Sequence, residues 1–205
     1  MKTVATAVCS IDAERPDTAA FARAAAVLRE GGLVAFPTET FYALGAVATD
    51  PAAIRRVFAL KTRTASKPLL VLVDSIAMAE TLAREVTPRA RELMARHWPG
   101  ALTLVLRARA DLPTELTAGT HTIGVRWSSH PVAQGVVRAL GIPVTAPSAN
   151  VEGGAPPTTA ADVLSAFDGL VDLVLDGGPT AGALASTLVD VTGEPRILRR
   201  GAVRP

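Results

Sequence analysis

Two of the chain's few lysines, Lys61 and Lys67, stand six positions apart around Arg63 in the stretch KTRTASK, while arginine supplies almost every other cation. An ammonium is a compact point charge with three donors and a guanidinium is a planar fork, so a site that uses both suits a chain of phosphates. The stretch follows a helical pattern and precedes the apolar run 69–73. Its cations therefore sit where a sheet edge meets a loop, an ordinary place for a ligand. A solvated basic turn is the other reading, and on this stretch alone the two weigh equally.

Four further groups carry polar chemistry. PTETFYALG at 37–45 places two threonines, a carboxylate and the single tyrosine after a buried strand. Hydroxyls at the carboxyl end of a strand can bind a polar ligand; they can equally satisfy their own turn. APSAN at 146–150 brings Ser148 and Asn150, a hydroxyl and an amide that each donate and accept, to the end of another strand. A loop cap is the alternative there. Ser186-Thr187 opens a strand, and Arg199-Arg200-Gly201 stands near the C-terminus. No P-loop, dinucleotide glycine fingerprint or nucleophile elbow occurs. His97, His121 and His130 lack zinc spacing and read as surface or polar-network residues.

The elements that must hold these groups alternate strand, loop and helix. Residues 17–30 predict a helix capped by Asp17 or Thr18, with Phe21, Ala24, Ala25 and Leu28 on one face and Gly31-Gly32 as its stop. Residues 51–60 start with proline in the first turn. Further helices are expected over 76–84, 88–97, 132–140 and 160–167. Strands are expected over 33–36, 69–73, 102–106, 122–127, 142–145, 170–175, 187–191 and 197–199. This is an α/β pattern. Several late strands have no helix between them, so a twisted sheet of mixed direction is expected. Residues 151–159, rich in Gly and Pro, read as loop.

Length and composition set the outer limits. At 205 residues the prior is one domain, large enough to bury a core. Hydrophobic residues at 49% rule out a disordered chain. Aromatics at 4% argue against stacking platforms for single-stranded nucleic acid, and a net charge of +2 is too small for a strong nucleic-acid footprint. A lone Cys9 makes no intrachain disulfide. With no apolar run long enough for a bilayer and no secretory pattern at the N-terminus, a cytoplasmic protein with no membrane partner is expected.

Read together, PTETFYALG, LKTRTASKPL, WPGALT, IGVRWSSH, APSAN, PPTTAADV, LDGG, STLVD and RRGAV, in that order over about residues 32–203, resemble the YrdC-like family of threonylcarbamoyl-AMP synthases. One motif would be weak; nine in order are specific. The resemblance implies a single YrdC-like domain over 1–205, with its core at about 17–203 and no additional C-terminal domain. It implies a twisted mixed parallel and antiparallel sheet, flanking helices and a central concave basic cavity. It also implies an activity: L-threonine, bicarbonate and ATP give threonylcarbamoyl-AMP and pyrophosphate. Other proteins, the downstream threonylcarbamoyl-transfer machinery, then move the group to a tRNA adenosine beside the anticodon.

By that resemblance Lys61 and Arg63 are catalytic. Arg63, Lys67, Thr122, Ser148, Asn150, Pro156 and Arg200 hold ATP, and Thr40, Arg126, Ala146 and Ser186 hold L-threonine. Mg²⁺ is expected to ride on the ATP phosphates, with no dedicated protein metal site. The chain departs from the family at Ala43, where Gly is frequent, at Leu72, where a polar residue is frequent, and at Glu152, where Ser is frequent. Residues 151–159 are the expected closing segment. The competing expectations are a module that binds structured or double-stranded RNA, a carbamoyl-adenylating paralogue, and a divergent relative with another substrate.

Overall fold

The computed structural model describes residues 5–15, 17–62 and 67–205. Arg63, one of the two expected catalytic residues, lies outside the described residues. The chain opens with β1 (Ala7–Ser10), α1 (Thr18–Arg29), β2 (Val34–Pro37), β3 (Tyr42–Gly45), α2 (Pro51–Lys61) and β4 (Leu70–Leu72). It continues through α3 (Ile76–Glu80), α4 (Pro88–His97), β5 (Leu102–Arg107), α5 (Thr114–Thr117) and β6 (Thr122–Arg126). It ends with α6 (Pro131–Leu140), β7 (Val144–Thr145), α7 (Ala160–Phe167), β8 (Leu173–Asp176), β9 (Thr187–Asp190) and β10 (Arg196–Arg199).

The strands form two mixed sheets where the sequence suggested one. The smaller runs β1-β8-β2-β3, parallel except for the β2–β3 pair. The larger runs β10-β9-β5-β6-β4-β7, with parallel β9–β5 and β6–β4 pairs inside an otherwise antiparallel order. The sheets meet at β3 and β7. There Thr145 N donates to Ala46 O at 2.9 Å, and Ala46 N donates to Thr145 Oγ1 at 2.9 Å. Two buried carboxyl-end loops therefore face each other across one seam, which makes room for a ligand between sheets.

Local signals explain most element ends. Asp17 accepts from Ala19 N at the start of α1, and the apolar face Phe21, Ala24, Ala25 and Leu28 is buried against α6. Asp50 caps α2, which begins with Pro51 and ends at Thr62 in the left-handed region (φ 48°). A capping box of Thr159 and Asp162 starts α7. No helix among the described residues is long and apolar enough to cross a membrane.

Candidate functional site

A cavity of about 540 Å³ lies between the sheets. Its walls come from the loop before β3 and from the same-face residues of β5 and β6, namely Thr103, Val105, Thr122, Gly124 and Arg126. The turn after β7, residues 185–188 and the end of β10 complete it. The period of two along each strand selects these positions, because successive side chains point to opposite faces. Among the described lining residues the charged groups are Lys61, Lys67, Arg126 and Arg199, and none is a carboxylate.

Arg126 is buried, at 2% exposure, at the end of β6. Its Nη1 donates to Thr40 Oγ1 at 3.2 Å and lies 3.9 Å from Glu39 Oε1. Its Nε has no hydrogen-bond partner, and neither does Glu39 Oε1. Glu39 also accepts from Ser128 Oγ. Burial holds the guanidinium's pKa below its ordinary value; Glu39 opposes this and the neighbouring charge of Arg199 adds to it. A buried guanidinium with an unused donor and only a distant carboxylate suits an incoming anion, above all a carboxylate that can accept two parallel bonds.

The threonine loop divides its labour. Thr38 Oγ1 donates to Phe41 O at 2.8 Å and accepts from Thr40 N, so it satisfies its own turn. Thr40 Oγ1 faces Arg126 and shares a 3.0 Å hydrogen bond with Thr38 Oγ1, and both threonines line the cavity. Tyr42 Oη donates to Gly178 O at 2.8 Å. Burial, with the charge of Asp176, pushes its pKa above the ordinary tyrosine value. The hydroxyl stays protonated at neutral pH and is a fixed donor.

Across the cavity, Lys61 is 5% exposed and donates to Ser148 O and Asn150 O, both at 2.6 Å. These bonds fix the last turn of α2 to the turn that carries Ser148. Lys67 is exposed on the wall. Ser186 is buried, shares a 2.8 Å hydrogen bond with Thr103 Oγ1 and accepts from Arg199 Nη2 at 3.2 Å. Arg199 Nε and Nη2 both donate to Ser186 O, at 3.1 and 3.0 Å. Ala146 commits its N–H to Leu70 O at 2.7 Å, which leaves its carbonyl as the group that can face a ligand.

Nine expected site residues thus reach one cavity wall: Thr40, Lys61, Lys67, Thr122, Arg126, Ala146, Ser148, Pro156 and Ser186. Two do not. Asn150 donates through Nδ2 to Val151 O at 2.9 Å and Gly154 O at 2.7 Å, so its side chain orders the following turn. Its backbone carbonyl accepts from Lys61, its N–H donates to Ser148 O at 2.9 Å, and its Oδ1 is buried without a hydrogen-bond partner. Arg200 is exposed and off the wall; Arg199 takes the inward position. The cause is an irregularity in β10 between Ile197 and Arg199, which breaks the alternation and turns both Leu198 and Arg199 to the cavity.

Glu39, Thr103 and Arg199 were not assigned roles from the sequence. Thr103 carried a signal, since it is a lone hydroxyl inside the apolar run LTLVL. Of the departures, Leu72 is fully buried in the core beneath α1 and α6 and does not reach the wall. Ala43 lines the cavity, and the Glu152 side chain faces solvent.

A model of the Sua5/YciO/YrdC family, described as "Telomere recombination", matches residues 26–201. A threonylcarbamoyl-AMP synthase of Bacillus subtilis is 41% identical over 184 residues, 89% of this chain and 53% of the relative. One of Pyrococcus abyssi is 42% identical over 177 residues, 86% of this chain and 52% of the relative. The chain therefore spans about half the length of these curated relatives. The crystal structure of P. abyssi Sua5 complexed with L-threonine superposes with a TM-score of 0.92 at 40% identity, covering 96% of this chain and 58% of that one.

Proposed function

This chain belongs to the Sua5/YciO/YrdC family, and from that membership and the geometry of its cavity we propose that it makes threonylcarbamoyl-AMP from L-threonine, bicarbonate and ATP. The observation that carries the reading is the buried Arg126, with an unpartnered Nε, sharing one cavity with Lys67 and Arg199. One end suits a carboxylate and the rest suits phosphates. The volume of about 540 Å³ is in the range of small-molecule sites. The L-threonine held by the P. abyssi relative supports the amino-acid half of the assignment.

The chemistry asks for little from protein nucleophiles. Bicarbonate gives carbon dioxide with loss of hydroxide, and the neutral threonine amine adds to it and releases a proton, so that a carbamate and water result. A carbamate oxygen then attacks the α-phosphorus, and the bond to the β-phosphate oxygen breaks to release pyrophosphate. Positioning and charge stabilisation dominate such transfers. Arg126, Thr40, Ser186 and the Ala146 carbonyl would orient the amino acid. Lys67, Arg199, Ser148 and Thr122 would face the nucleotide, and Lys61 would hold the Ser148 turn in place. Among the described residues no group of three or more His, Cys, Asp or Glu is placed to hold a metal ion. Mg²⁺ would enter on the ATP phosphates, with water completing its shell.

The test is direct. The purified chain is mixed with ATP, Mg²⁺, bicarbonate and L-threonine, and the products are read by mass spectrometry alongside pyrophosphate release. The adduct is expected only when all four are present. ATP binding without an adduct from either threonine or serine would move the chain to another substrate.

A further inference from the structure

Thr122 lines a second concavity as well as the first. This groove is more open, about 800 Å³, and among the described residues Arg84, Arg107, Arg109, Asp111 and His121 line it. We propose that it is a phosphate site that receives the pyrophosphate leaving the first cavity past Thr122, an inference that rests on the adenylate-forming reading above.

The two hollows lie along one sheet face. Thr103 and Val105 line the first, and Arg107, two residues further along β5 with the same orientation, lines the second. The arginines are held by the backbone around them. Arg84 N donates to Arg107 O at 2.8 Å, Arg109 N to Leu82 O at 2.9 Å, and Ala108 N to His121 O at 2.9 Å. Three segments far apart in sequence are stitched into one rim.

Two guanidiniums are themselves braced. Arg107 Nε donates to Thr192 O at 3.1 Å, and Arg109 donates to both carboxylate oxygens of Asp111 at 3.0 Å. Both side chains are exposed at the rim of the groove. His121 adopts φ 57°, a left-handed conformation that a residue with a side chain rarely takes. The rim holds it there, and such outliers concentrate at functional positions.

Among the described lining residues the charge balance is three guanidiniums against one carboxylate, in a chain whose whole excess is +2. Among the described lining residues there is no Phe, Tyr or Trp, so they offer no platform for stacking a base. The groove suits phosphate oxygens and not the nucleoside that carries them. Its continuity with the first cavity favours a small polyphosphate produced there.

The experiment is a calorimetric titration of the full chain with inorganic pyrophosphate at low salt, where charge is least screened. The Arg84→Ala/Arg107→Ala variant is expected to bind pyrophosphate at one site fewer than the unaltered chain. The Arg84→Lys/Arg107→Lys variant, which keeps the charge, is expected to retain that site and so to exclude a folding defect. Unchanged stoichiometry in the alanine variant overturns the proposal. So does loss of duplex-RNA binding with pyrophosphate binding intact, which would give the groove to nucleic acid. If the site is lost on substitution while the unaltered chain forms no threonylcarbamoyl adduct, the phosphate site stands and the reading of the first cavity falls.

Discussion

Arg126 concentrates the electrostatic cost of the cavity. A buried cation without close compensation is unfavourable, and here the nearest carboxylate oxygen is 3.9 Å away and also unpartnered. Desolvation lowers the guanidinium's pKa and Arg199 adds repulsion. A carboxylate ligand would relieve both effects at once. Arg126→Ala is therefore predicted to weaken L-threonine binding by roughly 2–5 kcal/mol, the cost of unpairing a buried hydrogen-bonded charge pair, while ATP binding changes far less. Arg126→Lys keeps the charge but loses the planar fork, so it should recover only part of the loss. Separate calorimetric titrations of the two ligands check this. Equal losses for both would mean that Arg126 supports the cavity and does not select the amino acid.

At the scale of elements, α6 carries an unusual cap. His130 Nδ1 accepts from Val132 N at 3.2 Å, so that nitrogen must be unprotonated. Burial lowers the imidazole pKa below 6.5, against a smaller opposing pull from Glu39. The folded state then binds fewer protons than the unfolded one around that pH. Stability from this group is complete above the unfolded value and is lost as pH falls through the lower folded value. The urea midpoint is predicted to drop below about pH 6.5 more steeply than in His130→Asn, whose amide still caps the helix but does not titrate. Parallel pH curves for the two proteins would remove His130 as the cause.

The same scale shows what the sequence could disclose. The bounds of α4 and α7 follow from pattern and caps alone, because proline, threonine and aspartate act locally. β3 was hidden because its residues 42–45 read as part of a ligand loop, although YALG also completes an antiparallel hairpin with β2. β7 is only two residues long between Pro143 and Pro147, which makes the expected 142–145 strand shorter. The division into two sheets was not legible, since it depends on which strands pair across the whole chain. At the site, polar residues in ordered motifs were readable. That Arg199 and not Arg200 lines the cavity was not, because it hangs on one irregularity in an edge strand.

For the whole molecule, the cavity is also a joint. Thr40 and Tyr42 belong to the side of the four-stranded sheet, whereas Thr103, Thr122 and Arg126 belong to the six-stranded one. Between the sheets the protein's own links include single bridges, Ala43 to Ser148 and Val47 to Val144, and the bonds around Thr145. A ligand that contacts both sides therefore adds to these cross-links, which also include Leu44 N to Pro147 O at 2.8 Å and Ala149 N to Tyr42 O at 2.9 Å. Binding to the folded state alone stabilises it by about 2.7 kcal/mol at a ligand concentration near 100 times Kd. For a chain of this size that corresponds to a rise in Tm of roughly 5–10 °C. Mg²⁺–ATP and L-threonine are each predicted to raise Tm. In Arg126→Ala the threonine increment should disappear and the nucleotide increment should persist. Thermal unfolding with each ligand alone and with both separates the contributions. A threonine increment that survives the substitution would place the amino acid away from the Arg126 end of the joint.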